Sequence, residues 1–387
     1  MRWIFIIGVL FCASWAGAAD YYTSPSVAIA AGSGTYTDPW HPNDAADNSA
    51  AGDLVYMISG TYSLTETWAL DTASGTSLAP ITFRGVDATD TSTLALAIID
   101  GSGAGGGTDA VTMTKEYIRF ESLRFTGGLD DNIHMSSAVN WVLWQSCRID
   151  NAGDDGVWSE SSGENNLYVM VDCEIDSNGG DGISHLTTLR GGYQSFRCSF
   201  HDNIGAGARS GSRFGKAIFS HCLFYDNGGG GIIFNSGGWG ATVEHSTFFG
   251  NTGSGLDITS TYWGLRVSDS IFFANTAYAI DTNTGDVDVF WQIDNLCSLQ
   301  NTSGHIDVNG GVLPSTGGTG HVLEDPNFMS ETDGSEDLTP QNTNLSTERA
   351  FPAGGSDYNY IGAIQPECTG VAGGGGGPLV GPGRLAR

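Results

Sequence analysis

Apolar and polar residues alternate in short runs through the middle of the chain, and the runs return with a period of 24–27 residues. The clearest markers are Cys147, Cys173, Cys198 and Cys222, spaced 26, 25 and 24 residues apart in SCRIDNAGDDGV, DCEIDSNGGDGI, RCSFHDNIGAGA and HCLFYDNGGGGI. Ser246 in STFFGNTGSGL and Ser270 in SIFFANTAYAI continue the register. It reaches back to Leu123 in LRFTGG and forward to Cys297 in CSLQNTSGHI. No segment shows a sustained 3.6-residue apolar period, so helical repeats are disfavoured. Each unit instead carries two runs with period-2 alternation, an Asn- and Gly-rich turn, and a third short run. Such a unit predicts one three-stranded coil of an all-β, single-stranded parallel β-helix, whose coils stack about 4.8 Å apart.

That stacking predicts vertical columns. Ile133, Val157, Ile183, Ala208, Ile232, Leu256, Ile280 and Ile306 fall on one inward column. Ile149, Ile175, Phe200, Phe224, Phe248, Phe272 and Leu299 fall on another. No coil could bury these residues alone, and stacking joins them into one apolar core. Asn151, Asn178, Asn203, Asn227, Asn251, Asn275 and Asn301 are expected at one corner, where Asn accepts left-handed backbone and can bond the neighbouring turn. The cysteines share an inward column. In-register neighbours present parallel Cβ vectors, so a stack of buried thiols is expected in preference to disulfides.

Composition agrees with a turn-rich solenoid: the 387 residues include 57 Gly, and only 15% are charged. The net charge of −28 disfavours nucleic acid and anionic lipid as partners. Residues 1–18 read as a signal peptide, with Arg2, an apolar run from Trp3 to Ala13, and the small residues Ala16-Gly17-Ala18. A secreted or cell-surface protein is therefore expected, with no membrane span in the mature chain. Residues 19–60 read as an N-terminal cap and first strand, and 61–310 as the β-helix. Residues 311–368 read as irregular terminal coils with a C-terminal cap, and 369–387 as a Gly/Pro-rich tail.

Several local motifs resemble the pectate-lyase-like superfamily of secreted right-handed β-helix proteins. They are the AGDLVYMISGTYS opening at 51–63, the recurring N-x-x-x-G-[IVL] coil motif, and the DPNF and DYNYIGAIQP segments near the end. The resemblance spans roughly 21–366 and implies a right-handed coil. It implies little about activity, because that superfamily includes lyases, hydrolases, epimerases and proteins with no catalysis.

Two constellations carry candidate chemistry. The residue two before the inward column is Asp131, Asp155 and Asp181 in three successive coils, and Asp130 and Asp154 stand beside them. Carboxylates stacked about 5 Å apart repel by about 1 kcal/mol per pair even in water. A Ca²⁺ ion would convert that repulsion into coordination, and no organic cofactor is expected. Positive charge gathers nearby, in Arg190, Arg197, Arg209, Arg213 and Lys216. An extracellular, anionic polysaccharide fits this pairing. A cation and arginines would neutralise a uronate carboxylate while a base removes the adjacent proton. The resemblance to calcium-dependent lyases implies a basic residue as that base. Lys216 is the candidate, with Arg209 and Arg213 as carboxylate binders.

Trp158 is expected to face outward between His134 and Ser184, where its indole could stack on a sugar. Arg190, nearly level with Lys216, completes the candidate substrate contacts with His134 and Trp158. His185 is expected to point inward near Ser159 and Ser210, and His221 and His245 to be structural. Two other activities compete with the lyase. One is a non-catalytic glycan-binding or adhesin-like protein, which the small outward residues of the later coils suit. The other is a hydrolase of the polygalacturonase type, suggested by Gly153-Asp154-Asp155-Gly156 but lacking that group's Gly-His-Gly and Arg-Ile-Lys motifs.

Overall fold

A computed structural model describes residues 18–308 except 30, 106, 137–138, 161–166, 186–191, 211–215, 236–238, 260–262 and 283–291, together with 328–330 and 337–340. The described chain is a right-handed parallel β-helix with two walls. One is a 19-stranded sheet and the other a 10-stranded sheet, and every pairing in both is parallel. Each middle coil contributes two strands to the long sheet and one to the short sheet, as in Val142–Gln145, Arg148–Asp150 and Val157–Ser159.

The bend between the two long-sheet strands falls at Ser122, Ser146, Asp172, Arg197, His221, His245 and Asp269, all with φ between 49° and 54° or, for His221, 58°. The left-handed turn lets the strand change direction without breaking the ladder. His221 and His245 stack there at 4.9 Å. Burial and the neighbouring His245 push the His221 imidazole down to about 4, which suits a structural rather than a titrating role.

The inward columns are in register. Val157, Ile183, Ala208 and Ile232 are successive partners on the short sheet. On the long sheet Phe200, Phe224, Phe248 and Phe272 stack with centroids 4.7, 4.9 and 4.6 Å apart. The glycine of the coil motif follows from this stack. A methyl group at Gly231 would lie 2.4 Å from the Gly255 carbonyl oxygen and 2.5 Å from Phe248 Cδ1. No side chain fits there, so the Gly column and the Phe column require each other.

The asparagine ladder runs through Asn178, Asn203, Asn227, Asn251, Asn275 and Asn301. Each amide donates to the next Oδ1 at 2.8–2.9 Å. Asn151 is a correction: it is exposed at φ 55°, and its amide reaches the Asp150 carboxylate. Ala152 occupies the ladder slot in that coil, and its backbone N–H donates to Asn178 Oδ1 at 3.0 Å. A second correction lies at the far end. Cys297 pairs with Ile271 and Ser298 with Phe272, so Leu296, not Cys297, continues the cysteine column, and Leu299 leaves the Phe column. Cys297 packs instead with Phe249, Ile271 and Phe273. The five described cysteines are all buried, and Cys147, Cys173, Cys198 and Cys222 form no disulfide with one another.

At the N-terminal end, strand Asp20–Thr23 pairs with Leu54–Ile58. Helix α1 (Pro42–Asn48) lies against Trp68–Leu70, the last strand of the short sheet, and Trp68 Nε1 donates to the Pro42 carbonyl at 3.0 Å. Among the described residues no helix is long and apolar enough to cross a membrane. The segments 1–17 and 341–387, where most of the expected signal peptide and all of the expected Gly/Pro-rich tail fall, lie outside the described residues, as does most of 311–340.

The ladder makes a stability prediction. Asn227→Ala removes an amide that serves both Phe200 O and Asn251 Oδ1, leaving buried groups without partners. Chemical denaturation is expected to show a loss of about 1–3 kcal/mol. Asn151→Gly, which keeps the left-handed turn, should stay within about 0.5 kcal/mol of the parent. Equal losses at both positions would contradict the corrected register.

Candidate functional site

The acidic column stands at the corner where the long sheet passes into the short one. Asp131 Oδ1 accepts the Asp155 backbone N–H at 3.0 Å, and Asp155 Oδ1 accepts that of Asp181 at 2.6 Å. Asp181 Oδ1 accepts from Ala206 N at 2.6 Å. Each carboxylate thus serves the coil after it, and all three are buried. Burial is the main cause that pushes the Asp131 carboxyl up to about 8 and the Asp155 carboxyl up to about 7. Asp154, more open, is raised as well by burial and by Asp130 and Asp181.

The three members diverge in what else they touch. One oxygen each from Asp130, Asp131 and Asp154 lies within 4.8 Å of the others. Asp131 Oδ2 is buried and has no hydrogen-bond partner. A hard oxygen donor set with one orphaned carboxylate oxygen fits a Ca²⁺ ion. Asp181 is committed elsewhere: Arg209 clasps it, with Nε 2.5 Å from Oδ2 and Nη2 3.0 Å from Oδ1.

Arg209 lies on the short-sheet strand Ala206–Ser210, with Ser184 as its register partner. In the same column the partners run His134, Trp158, Ser184, Arg209 and Ile233. His134 stacks on Trp158 at 5.7 Å with 23° between the rings. His134 Nδ1 lies 2.9 Å from Asp109 Oδ2, and this bond raises the imidazole's proton affinity above its ordinary value. An imidazole, an indole, a serine and a guanidinium therefore follow one another along the short sheet, beside the carboxylates of the corner.

Asp109 was not among the expected site residues. It stands two residues before Val111, the inward partner of Ile133, which is the offset shared by Asp131, Asp155 and Asp181. The signal was present, but Val111 belongs to a coil 22 residues from the next, outside the dominant period. Arg190 and Arg213 lie outside the described residues. Lys216 opens strand Lys216–Ser220 of the long sheet, with Gly192 as register partner, and is the next described residue after Ser210, which ends Arg209's strand. Arg197 sits apart at the first bend, bonded to Asp172 at 2.6 and 2.9 Å. His185 is buried between Ser159 and Ser210, and burial pushes it down to about 4.

A family model for the right handed beta helix region matches residues 186–311. Among solved structures, the crystal structure of pectate lyase Pel9A superposes with a TM-score of 0.64 at 14% identity, over 90% of this chain and 97% of that one. An alginate lyase from Paenibacillus sp. str. FPU-7 gives 0.46 at 16% identity, over 74% and 98%. A rhamnogalacturonan lyase gives 0.42 at 14%, over 78% and 80%. No curated protein matches the chain.

The raised carboxyls predict a pH response. Between the ordinary carboxylate value of 3.8 and about 8, folded Asp131 holds a proton that the unfolded chain has released. Its contribution to stability is therefore fully present below 3.8 and lost as pH rises through about 8. Denaturation of the parent and of Asp131→Asn in chelator should give a stability difference that moves against the parent over this window. A difference independent of pH would remove the account of Asp131. With matching register and coil architecture, the chain folds as a right-handed parallel β-helix, a fold it shares with pectate lyase Pel9A.

Proposed function

We propose that this is an extracellular, calcium-assisted polysaccharide lyase acting on uronic-acid-containing glycans by β-elimination. The observation that carries the reading is the unpartnered Asp131 oxygen within the Asp130, Asp131 and Asp154 cluster, beside the His134, Trp158 and Arg209 column. The pectate lyase neighbour supports the fold on which such a site would stand.

In this reading Asp130, Asp131 and Asp154 hold the ion, with Asp155 next in the column. When bound, Ca²⁺ supplies positive charge that acidifies the proton on the carbon bearing the uronate carboxylate. Trp158 offers its indole face to a sugar ring, and His134 holds that face in place. Arg209, with Asp181 fixing its guanidinium, faces the carboxylate of the substrate. Arg213 and Arg190 extend the carboxylate contacts. Neutral Lys216 accepts the C5 proton, the C5–H electron pair forms the C4–C5 double bond as the C4–O bond breaks, and the leaving oxygen takes its proton from solvent water, which the lysinium then reprotonates.

A second reading is favoured by one observation. The Asp131, Asp155 and Asp181 side chains already serve the backbone of the next coil, so the column has a structural use without any ion. A non-catalytic glycan-binding protein would need only the aromatic and cationic surface.

One experiment decides between them. Pectate, alginate and glycosaminoglycans are incubated with the protein, with calcium and then with chelator, while ultraviolet absorbance follows the unsaturated uronate. The lyase reading expects product on at least one substrate, loss of rate in chelator, and a fall of about 100-fold or more in kcat for Lys216→Ala. Binding without product on every substrate would establish the second reading, and an unchanged Lys216→Ala rate would remove the lysine as base.

A further inference from the structure

Away from the proposed glycan surface, three metal-ligand side chains meet on the outer side of the long sheet. Glu174 and Asp176 lie on strand Glu174–Asp176. His201 lies on strand Ser199–His201 of the next coil, as the register partner of Asp176. One donor atom from each lies within 4.8 Å of the other two. His201 Nε2 is 3.3 Å from Glu174 Oε1. Two ligands about 2.0–2.1 Å from a tetrahedral ion stand about 3.3 Å apart, so this pair is already at coordinating separation.

The imidazole is also held as a ligand would be. Its Nδ1 lies 2.8 Å from Asp202 Oδ2, and its face stacks on Tyr225 at 4.5 Å with 8° between the rings. A carboxylate on one ring nitrogen fixes the tautomer and orientation that direct the other nitrogen to a metal.

A separate observation points to a missing ligand. Asp176 is only 3% exposed. Its Oδ2 accepts from Arg148 at 2.7 Å and from Ser177 at 3.1 Å, but Oδ1 is buried with no hydrogen-bond partner. Leaving a buried carboxylate oxygen without a donor is costly, and the neighbouring Glu174 and His201 Nε2 bring no hydrogen-bond donor to it. A cation is the partner that would satisfy all three together.

We propose that Glu174, Asp176 and His201 form a binding site for a divalent transition ion of the zinc type, with Asp202 orienting His201. The mixed imidazole and carboxylate set favours such an ion over Ca²⁺, which takes oxygen ligands. The ligands come from two successive coils, so the ion acts as a staple between them. It binds the folded chain and not the unfolded one, and so stabilises the coil stack by mass action. The site is independent of the acidic corner and of any lyase activity.

The test uses untagged, chelator-treated protein and Zn²⁺ alone, followed by calorimetric titration and thermal unfolding. Co²⁺ replaces Zn²⁺ in a parallel titration read by visible absorbance. The parent is expected to bind one Zn²⁺ per chain at this site, to unfold at higher temperature with it, and to give a Co²⁺ spectrum with nitrogen ligation. His201→Gln and Glu174→Gln should each lose the binding, Asp202→Asn should weaken it about 10-fold or more, and Asp131→Asn should leave it intact. Failure of the parent to bind Zn²⁺ or Co²⁺ would overturn the proposal without reference to any variant. So would unchanged binding in His201→Gln, or loss of the site in Asp131→Asn.

Discussion

Parallel backbone hydrogen bonding between successive coils is the constraint on which everything else rests. It sets one spacing, about 4.8 Å, for every column in the molecule. Residues about 25 positions apart in sequence become nearest neighbours, whatever their chemistry. Where the column is apolar, the result is the Phe200, Phe224, Phe248 and Phe272 stack, with ring separations set by the backbone. Where it is amide, the same spacing matches a hydrogen bond from each Asn to the next, and a buried polar corner is satisfied along its length. Where it is carboxylate, like charges are forced together at the corner and must be protonated, bonded to backbone or neutralised by a cation.

The carboxylate column uses all three solutions. Backbone N–H groups take one oxygen of each aspartate, and Arg209 takes Asp181. Burial holds protons on Asp131 and Asp155 to higher pH than usual. What remains is the second oxygen of Asp131, at the edge of a three-carboxylate cluster. The same logic operates on the outer side of the long sheet, where Asp176 keeps one orphaned oxygen next to His201 and Glu174. Both places leave one buried carboxylate oxygen without a hydrogen-bond donor.

Most of the fold was legible because columns repeat an identical choice many times. The failures occurred where a coil changes its length or the residue type at a column slot. Asn151 looks like a ladder member by type, but Ala152 holds the slot, because the left-handed residue precedes the ladder position in every coil. Cys297 looks like the next cysteine, but it falls one residue past the column slot, which Leu296 fills opposite Ser270. Asp109 was missed because its coil is short, although its offset from Val111 carries the same signal as the other aspartates. The acidic corner and the His134, Trp158 and Arg209 column could be read from period alone. Arg209's clasp on Asp181 and the meeting of His201 with Glu174 could not, since both are diagonal contacts between coils and depend on side-chain reach.

The most direct measurement is anomalous diffraction from crystals of the full chain soaked in a lanthanide that replaces calcium. The account predicts a peak bounded by the carboxylates of Asp130, Asp131 and Asp154, at the corner beside Trp158. A structure in which those three carboxylates are apart, or in which the ion binds only at other residues, would contradict it.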